Sequence, residues 1–262
     1  MTGALLAAAL VGGVGLLIGI LLGVAGEKFK VQEDPREVAI REALPGNNCG
    51  GCGYAGCDAL AKAIAAGEAK SNACPVGGAA TAAAIGEIMG TSDEVVHRVA
   101  FVRCGGTCDR AKERYQYHGV TSCVDAAGTT GGGPKACAYG CLGYGSCVAA
   151  CQFDAMHLAD GIAMVDREKC TACGKCVSAC PKGLIELIPY EAKTQVRCSS
   201  KDKGKDVMAA CEVGCIGCKI CEKNCPEKAI TVENNLAHID YDKCTGCGIC
   251  AEKCPKKVII FR

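Results

Sequence analysis

Cys137-Ala-Tyr-Gly-Cys141-Leu-Gly-Tyr144-Gly-Ser-Cys147-Val-Ala-Ala-Cys151, followed by Cys170-Thr-Ala-Cys173-Gly-Lys-Cys176-Val-Ser-Ala-Cys180-Pro181, sets the architecture, because the chain contains this stretch twice. Residues 137–188, moved forward by 74 positions, land without a gap on residues 211–262. Cys137, Cys141, Cys147 and Cys151 fall on Cys211, Cys215, Cys221 and Cys225. Cys170, Cys173, Cys176 and Cys180 fall on Cys244, Cys247, Cys250 and Cys254, each set closed by proline (Pro181, Pro255). One sulfur position breaks the match: Tyr144 stands opposite Cys218. A repeat that keeps its sulfurs at fixed spacing is organised around what they hold, and C-x2-C-x2-C-x3-C-P spacing holds iron–sulfur clusters.

The 262 residues include 25 cysteines. That density also fits a disulfide framework, but such scaffolds are short and secreted, and no cleavable secretory signal is legible here. Zinc sites use four ligands, commonly paired C-x2-C or Cys with His, and three cysteines at x2 spacing closed by Cys-Pro do not follow that plan. Iron–sulfur is therefore the expected chemistry. The net charge of +1, from 29 basic and 28 acidic residues, implies no polyanion partner and hence no nucleic acid. Aromatics are 4% and Trp is absent, so clusters are expected to replace much of the core, leaving apoprotein poorly folded.

The expected fold class is α+β: one N-terminal transmembrane helix, a small helical 4Fe-4S module and two tandem bacterial-type ferredoxin-like modules. Ala4 to Ala25 carry no charged or polar side chain, a run of ~33 Å as a helix, enough for a bilayer core. Gly15, Gly19 and Gly23 form a small-residue stripe suited to close helix approach. Lys28, Lys30, Arg36 and Arg41 follow the span, which puts the rest of the chain in the cytoplasm, anchored once in the cytoplasmic (inner) membrane. The expected division is 1–26 membrane helix, 27–35 linker, 36–100 single-cluster module and 101–136 cysteine-containing connector. Then come 137–190 as repeat 1, 191–210 as a second connector and 211–262 as repeat 2. Helices are expected at Asp58–Ala66 and Ala79–Met89. Each repeat should carry a hairpin, 155–158 with 162–165 and 229–232 with 236–239. The glycine run 128–135 fails the phosphate-loop pattern, since Pro134 stands where Lys is needed, and reads as a flexible loop.

In the bacterial two-cluster arrangement the fourth Cys of each motif serves the other cluster. Cys215, Cys218 and Cys221 then join Cys254; Cys244, Cys247 and Cys250 join Cys225; Cys170, Cys173 and Cys176 join Cys151. Cys141, Cys147 and Cys180 lack a middle ligand, for which Cys137 is the nearest substitute, with a 3Fe-4S cluster as the alternative. Cys49, Cys52, Cys57 and Cys74 make one more site. These five 4Fe-4S clusters use 20 cysteines; Cys104, Cys108, Cys123, Cys198 and Cys211 remain, and four of them could hold a sixth. His97, His118, His157 and His238 show no paired-ligand spacing, and His157 and His238 read as solvent-facing strand residues. No nucleophile–base constellation and no dinucleotide fingerprint stands out, so no catalytic site and no flavin or NAD is expected on this chain.

A membrane span followed by Cys49-Gly-Gly-Cys52-Gly-Tyr-Ala-Gly-Cys57, Cys74-Pro75 and ferredoxin motifs resembles the B subunits of Rnf complexes, in a long form with two ferredoxin repeats. The resemblance implies an electron-transfer subunit that takes electrons from reduced ferredoxin. It would relay them to other membrane subunits that couple NAD+ reduction to Na+ or H+ transport. A related membrane complex that reduces a redox-sensing transcription factor, or another iron–sulfur oxidoreductase, fits the same residues. Residues 193–262 carry 13 basic and 9 acidic side chains, with Lys201, Lys203 and Lys205 close together. That balance reads equally as a face for an acidic donor or as a solvated loop.

Overall fold

The computed structural model describes residues 2–28 and 34–262. Helix α1, Thr2–Lys28, contains the whole apolar run, and its large side chains from Leu10 to Val24 are exposed among the described residues. It is long and apolar enough to cross a membrane, and Lys28 closes its last turn, where a cation suits the helix dipole. Most of the expected linker 27–35 lies outside the described residues.

Three helices follow: α2 (Pro35–Ala43), α3 (Cys57–Ala65) and α4 (Gly78–Met89). Asp34 caps α2, its carboxylate accepting from the Arg36 amide at 2.9 Å, and Pro35 supplies a first-turn φ without wasting an N–H. The helices enclose Ile40, Leu44, Cys57, Leu60, Ile64 and Ile85, with the partly buried Cys52 and Cys74 packed against that cluster. Truncating Ile64, fully buried here, to Ala would cost about 2–5 kcal/mol.

The rest of the chain is built on a pseudo-symmetric plan. Strand β1 (Arg98–Val102) leads through the short helices α5 (Cys123–Ala127) and α6 (Ser146–Ala149) to the hairpin β2 (Met156–Ala159) and β3 (Ile162–Val165). Helix α7 (Lys175–Ala179) and strand β4 (Ile185–Pro189) complete this half. The second half runs β5 (Thr194–Val196), α8 (Gly204–Ala210), α9 (Ile220–Lys223), β6 (Ile230–Glu233), β7 (Leu236–Ile239), α10 (Ile249–Glu252) and β8 (Ile259–Phe261). Among the described residues the strands form four two-stranded antiparallel sheets: β1 with β4, β2 with β3, β5 with β8, and β6 with β7. Both hairpins turn through two residues of positive φ, Asp160 and Gly161 in one and Asn234 and Asn235 in the other, as a type I′ turn requires. Each first strand therefore begins one residue later than the hydrophobic pattern alone implied.

Strand pairing crosses two of the expected boundaries. β1 closes the expected first helical module in sequence but pairs with β4, Val99 facing Ile188. Likewise β5 lies in the expected connector 191–210 yet pairs with β8, Gln195 facing Ile260. A lone edge strand leaves its amides unpaired, and the nearest free edge with matching apolar faces takes it up. The glycine run before Cys137 is also tied down, since Arg114 donates to the Gly131 and Lys135 carbonyls at 2.9 and 3.1 Å.

Candidate metal centres

The ligand helices α6, α7 and α10 each start after a glycine with φ near +78°, at Gly145, Gly174 and Gly248. In each, this left-handed residue turns the chain sharply between consecutive cysteines, a conformation that other side chains resist. In α9 the same place is held by Lys219, with φ +60°.

Four cavities are walled by cysteine quartets. Cys215, Cys218, Cys221 and Cys254 surround one of about 340 Å³, and Cys225, Cys244, Cys247 and Cys250 another of about 340 Å³. Cys123, Cys141, Cys147 and Cys180 line a third, of about 350 Å³. Cys104, Cys137, Cys198 and Cys211 line the largest, about 470 Å³ counted to its open mouth. A further group is read from electrostatics: burial first, then the neighbouring Cys170, Cys173 and Cys151, push the Cys176 thiol up to about 11. In the helical module burial raises Cys74, with Cys52 and Cys57 adding to the rise, and Cys49 lies three residues before Cys52 on the same loop. There the Asn48 side chain accepts from the Cys57 amide at 2.8 Å, fixing the loop to the start of α3.

Cys137, expected beside Cys141, Cys147 and Cys180, lines the cavity of Cys104, Cys198 and Cys211, and Cys123 lines the cavity that Tyr144 leaves one cysteine short. Burial first, then Cys141, Cys123 and Cys180, push Cys147 up to about 12. The Cys123 amide donates to Ser146 Oγ at 3.0 Å, which brings the start of α5 against the start of α6, while the Tyr144 ring turns toward Tyr117, centroids 5.4 Å apart. Cys123 comes from outside the repeat, so no spacing rule could place it. Cys137 goes to the largest cavity, where burial raises its thiol first and Cys104 and Cys211 add to the rise. One signal for that cavity was present in the sequence: Val102-Arg103-Cys104 recurs as Val196-Arg197-Cys198 after β1 and β5. Of the five cysteines expected to compete for a sixth site, Cys108 stays outside every quartet, exposed, its amide donating to the Asp160 carbonyl at 2.9 Å.

The residues fit thiolate-bound clusters. Backbone amides donate to sulfurs throughout: Cys141 N–H to Cys104 at 3.4 Å, Cys215 N–H to Cys198 at 3.3 Å, Ala100 N–H to Cys170 at 3.3 Å and Ala229 N–H to Cys225 at 3.3 Å. Such bonds stabilise negative sulfur and tune potential. Among the described residues no three Cys, His, Asp or Glu side chains close on a single metal ion; a cubane spreads its thiolates wider than one ion does. Among the described residues no histidine lines these four cavities: His97 stacks on Tyr190, centroids 4.5 Å apart, and His157 and His238 sit on β2 and β7. His157 is exposed and His238 half-buried.

The comparisons agree with this geometry. Residues 44–76 match the family described as “Putative Fe-S cluster”, residues 163–186 a 4Fe-4S binding domain and residues 214–258 a 4Fe-4S dicluster domain. The chain is 50% identical over 236 residues to the B subunit of the Na(+)-translocating ferredoxin:NAD(+) oxidoreductase complex of Acetobacterium woodii, covering 89% of this chain and 71% of the relative. It is 46% identical to the B subunit of the ion-translocating oxidoreductase complex of Methanosarcina acetivorans, covering 90% and 89%. To the B subunit of the proton-translocating ferredoxin:NAD(+) oxidoreductase complex of Clostridium ljungdahlii it is 43% identical, covering 87% and 81%. The α+β chain thus carries multiple 4Fe-4S clusters as a membrane-associated electron-transfer subunit, and it belongs to the family of B subunits of Rnf-type ion-translocating oxidoreductase complexes.

Proposed function

We propose that this subunit receives electrons from reduced ferredoxin at its second repeat and relays them through six cysteine quartets toward the membrane partners of an Rnf-type complex. The quartets are Cys49/52/57/74, Cys151/170/173/176, Cys123/141/147/180, Cys104/137/198/211, Cys225/244/247/250 and Cys215/218/221/254. Each 4Fe-4S cluster, when bound, supplies reversible one-electron transfer.

One observation carries the reading: the cavity of Cys104, Cys137, Cys198 and Cys211 draws cysteines from both halves and is hydrogen-bonded to each. Cys141, of one flanking quartet, donates its amide to Cys104, and Cys215, of another, donates to Cys198. The halves are thereby joined through a shared site rather than merely adjacent. The chain divides accordingly into an anchor, a helical module and two ferredoxin-like halves that start at β1 and β5.

The input face is supported by exposure and charge. Cys218 and Cys247 are exposed, unlike any other quartet cysteine. Lys219, Lys223, Lys253 and Lys257 are exposed in the same half, a field that would steer an acidic carrier. The soluble part faces the cytoplasm, with α1 crossing the inner membrane once and the basic residues Arg36 and Arg41 on the cytoplasmic side. NAD+ and the transported ion belong to partner subunits.

Purified full-length chain tests the proposal. About 24 irons with matching sulfide are expected, and about 20 would remove the sixth site. Reduced ferredoxin should bleach the visible absorbance, and the chain alone should not reduce NAD+. Zinc in place of iron, or no bleaching, would sink it.

A further inference from the structure

The Cys104/137/198/211 cavity has a pseudo-two-fold plan, Arg103-Cys104 matching Arg197-Cys198 and Cys137 matching Cys211. Lys135 breaks that plan. It lines the cavity, and its counterpart 74 positions on is Ala209. The lysine is 3% exposed, and its ammonium donates to the Gly106 carbonyl at 2.8 Å and the Gly161 carbonyl at 3.3 Å. Among the described ion pairs it has no carboxylate. A buried ammonium held only by two carbonyls is poorly compensated unless negative charge lies near.

The other charges on the wall are differently engaged. Arg103 pairs with Glu186 at 3.3 Å, Arg197 donates to Met164 Sδ at 3.2 Å, and Asp202 is the one acid in the lining. Four thiolates outweigh the positive charge of an iron–sulfur core, and reduction adds one further negative unit, drawn from the neighbouring donor. A fixed cation therefore favours the reduced form.

We propose that Lys135 is the counter-charge of the cluster held by Cys104, Cys137, Cys198 and Cys211, and that it raises that cluster's reduction potential. The proposal rests on the six-quartet reading above. Its consequence is direction: the shared site becomes an electron sink between the two halves, and the cation that makes it so is present on one side of the pseudo-symmetry alone. Lys135 acts as a tuning residue, not a ligand.

Redox titration of the full cluster-loaded chain, followed by electron paramagnetic resonance and paired with iron analysis, tests this. Lys135→Met should keep the iron content and lower one midpoint, with about a tenfold smaller reduced-to-oxidised ratio at fixed potential, about 59 mV for one electron. Lys135→Arg should stay near the parent value. Asp202→Asn should move the same midpoint upward. Unchanged midpoints in an iron-replete Lys135→Met chain overturn the inference and leave the six-quartet reading standing. Only about 20 irons in the parent chain would instead remove that reading. If Lys135→Met fails to retain iron, Asp202→Asn decides: a midpoint that does not move overturns the inference.

Discussion

Gly51, in the ligand loop of the helical module, is pressed against the backbone of Cys173, in a ligand loop of the first ferredoxin-like half: a Cβ on Gly51 would lie 2.5 Å from the Cys173 carbonyl oxygen. No real Cβ tolerates that distance to backbone, so Gly is required for the two loops to touch. The contact joins Cys49-Gly-Gly-Cys52 to Cys170-Thr-Ala-Cys173, and with them two candidate cluster sites.

Gly51→Ala should push these loops apart, at about 1–3 kcal/mol of overpacking, and Gly51→Val further. Iron content should be unchanged, because neither substitution removes a sulfur. Stopped-flow reduction should show the helical module's cluster filling more slowly while the other clusters fill at the parent rate. Equal filling rates for all clusters in Gly51→Val would rule out this contact as the transfer point.

Cys123→Ser should lose a cluster or convert it to a three-iron form, and Tyr144→Cys in the same chain should restore it, since Cys218 already performs that role at the matching position. Iron analysis and resonance spectra of the single and double variants check this. Cys108→Ala, by contrast, should leave about 24 irons in place; loss of four would show that the exposed thiol is a ligand.

Replacing Lys219 and Lys223 by Glu should slow reduction by ferredoxin on the order of tenfold at low ionic strength and much less at high salt. Lys219 also pairs with Glu222 at 3.7 Å, so Lys219→Gln serves as a control for that contact. A rate insensitive to both the charge reversal and salt would move the docking face elsewhere.

Removing iron should unfold both ferredoxin-like halves, because Cys141, Cys147 and Cys176 are members of one buried core and Cys198, Cys215, Cys221 and Cys250 of the other. Circular dichroism after chelation should show loss of structure; a chain that keeps its spectrum and melting transition would contradict the prediction. Acid should promote the loss. Burial pushes Cys147 and Cys221 up to about 12, both above the ordinary thiol value of 9.0, so the metal-free thiols hold their protons. Iron binding must displace those protons, and iron affinity therefore falls as pH falls. Iron retention followed across a pH series checks the sign.

Much of this molecule was legible in its cysteine spacing. The motif C-x2-C-x2-C-x3-C-P implies its own ligand geometry, because three sulfurs two residues apart on a glycine-bent loop face one cubane, and the exchange of fourth cysteines follows from the paired motifs. The apolar run Ala4–Ala25 likewise announced α1, since twenty-odd residues without polar side chains need no tertiary context to form a helix in lipid. The hairpins were visible in Asp160-Gly161 and Asn234-Asn235, residues that tolerate positive φ.

All of these are local properties: which sulfurs share a loop, which segments are strands, where a membrane helix runs. Beyond the fourth-cysteine exchange and the recurring Val-Arg-Cys, the meetings of distant cysteines came from the closed fold. It took Cys123 to the place left by Tyr144 and gathered Cys104, Cys137, Cys198 and Cys211 into a site shared by both halves. It also drew β1 and β5 away from their neighbours in the chain. Such partners are brought together by edge pairing and by hydrogen bonds such as Cys123 N–H to Ser146 Oγ. Those contacts form only when remote segments have already come together, so they leave no period or spacing in the chain.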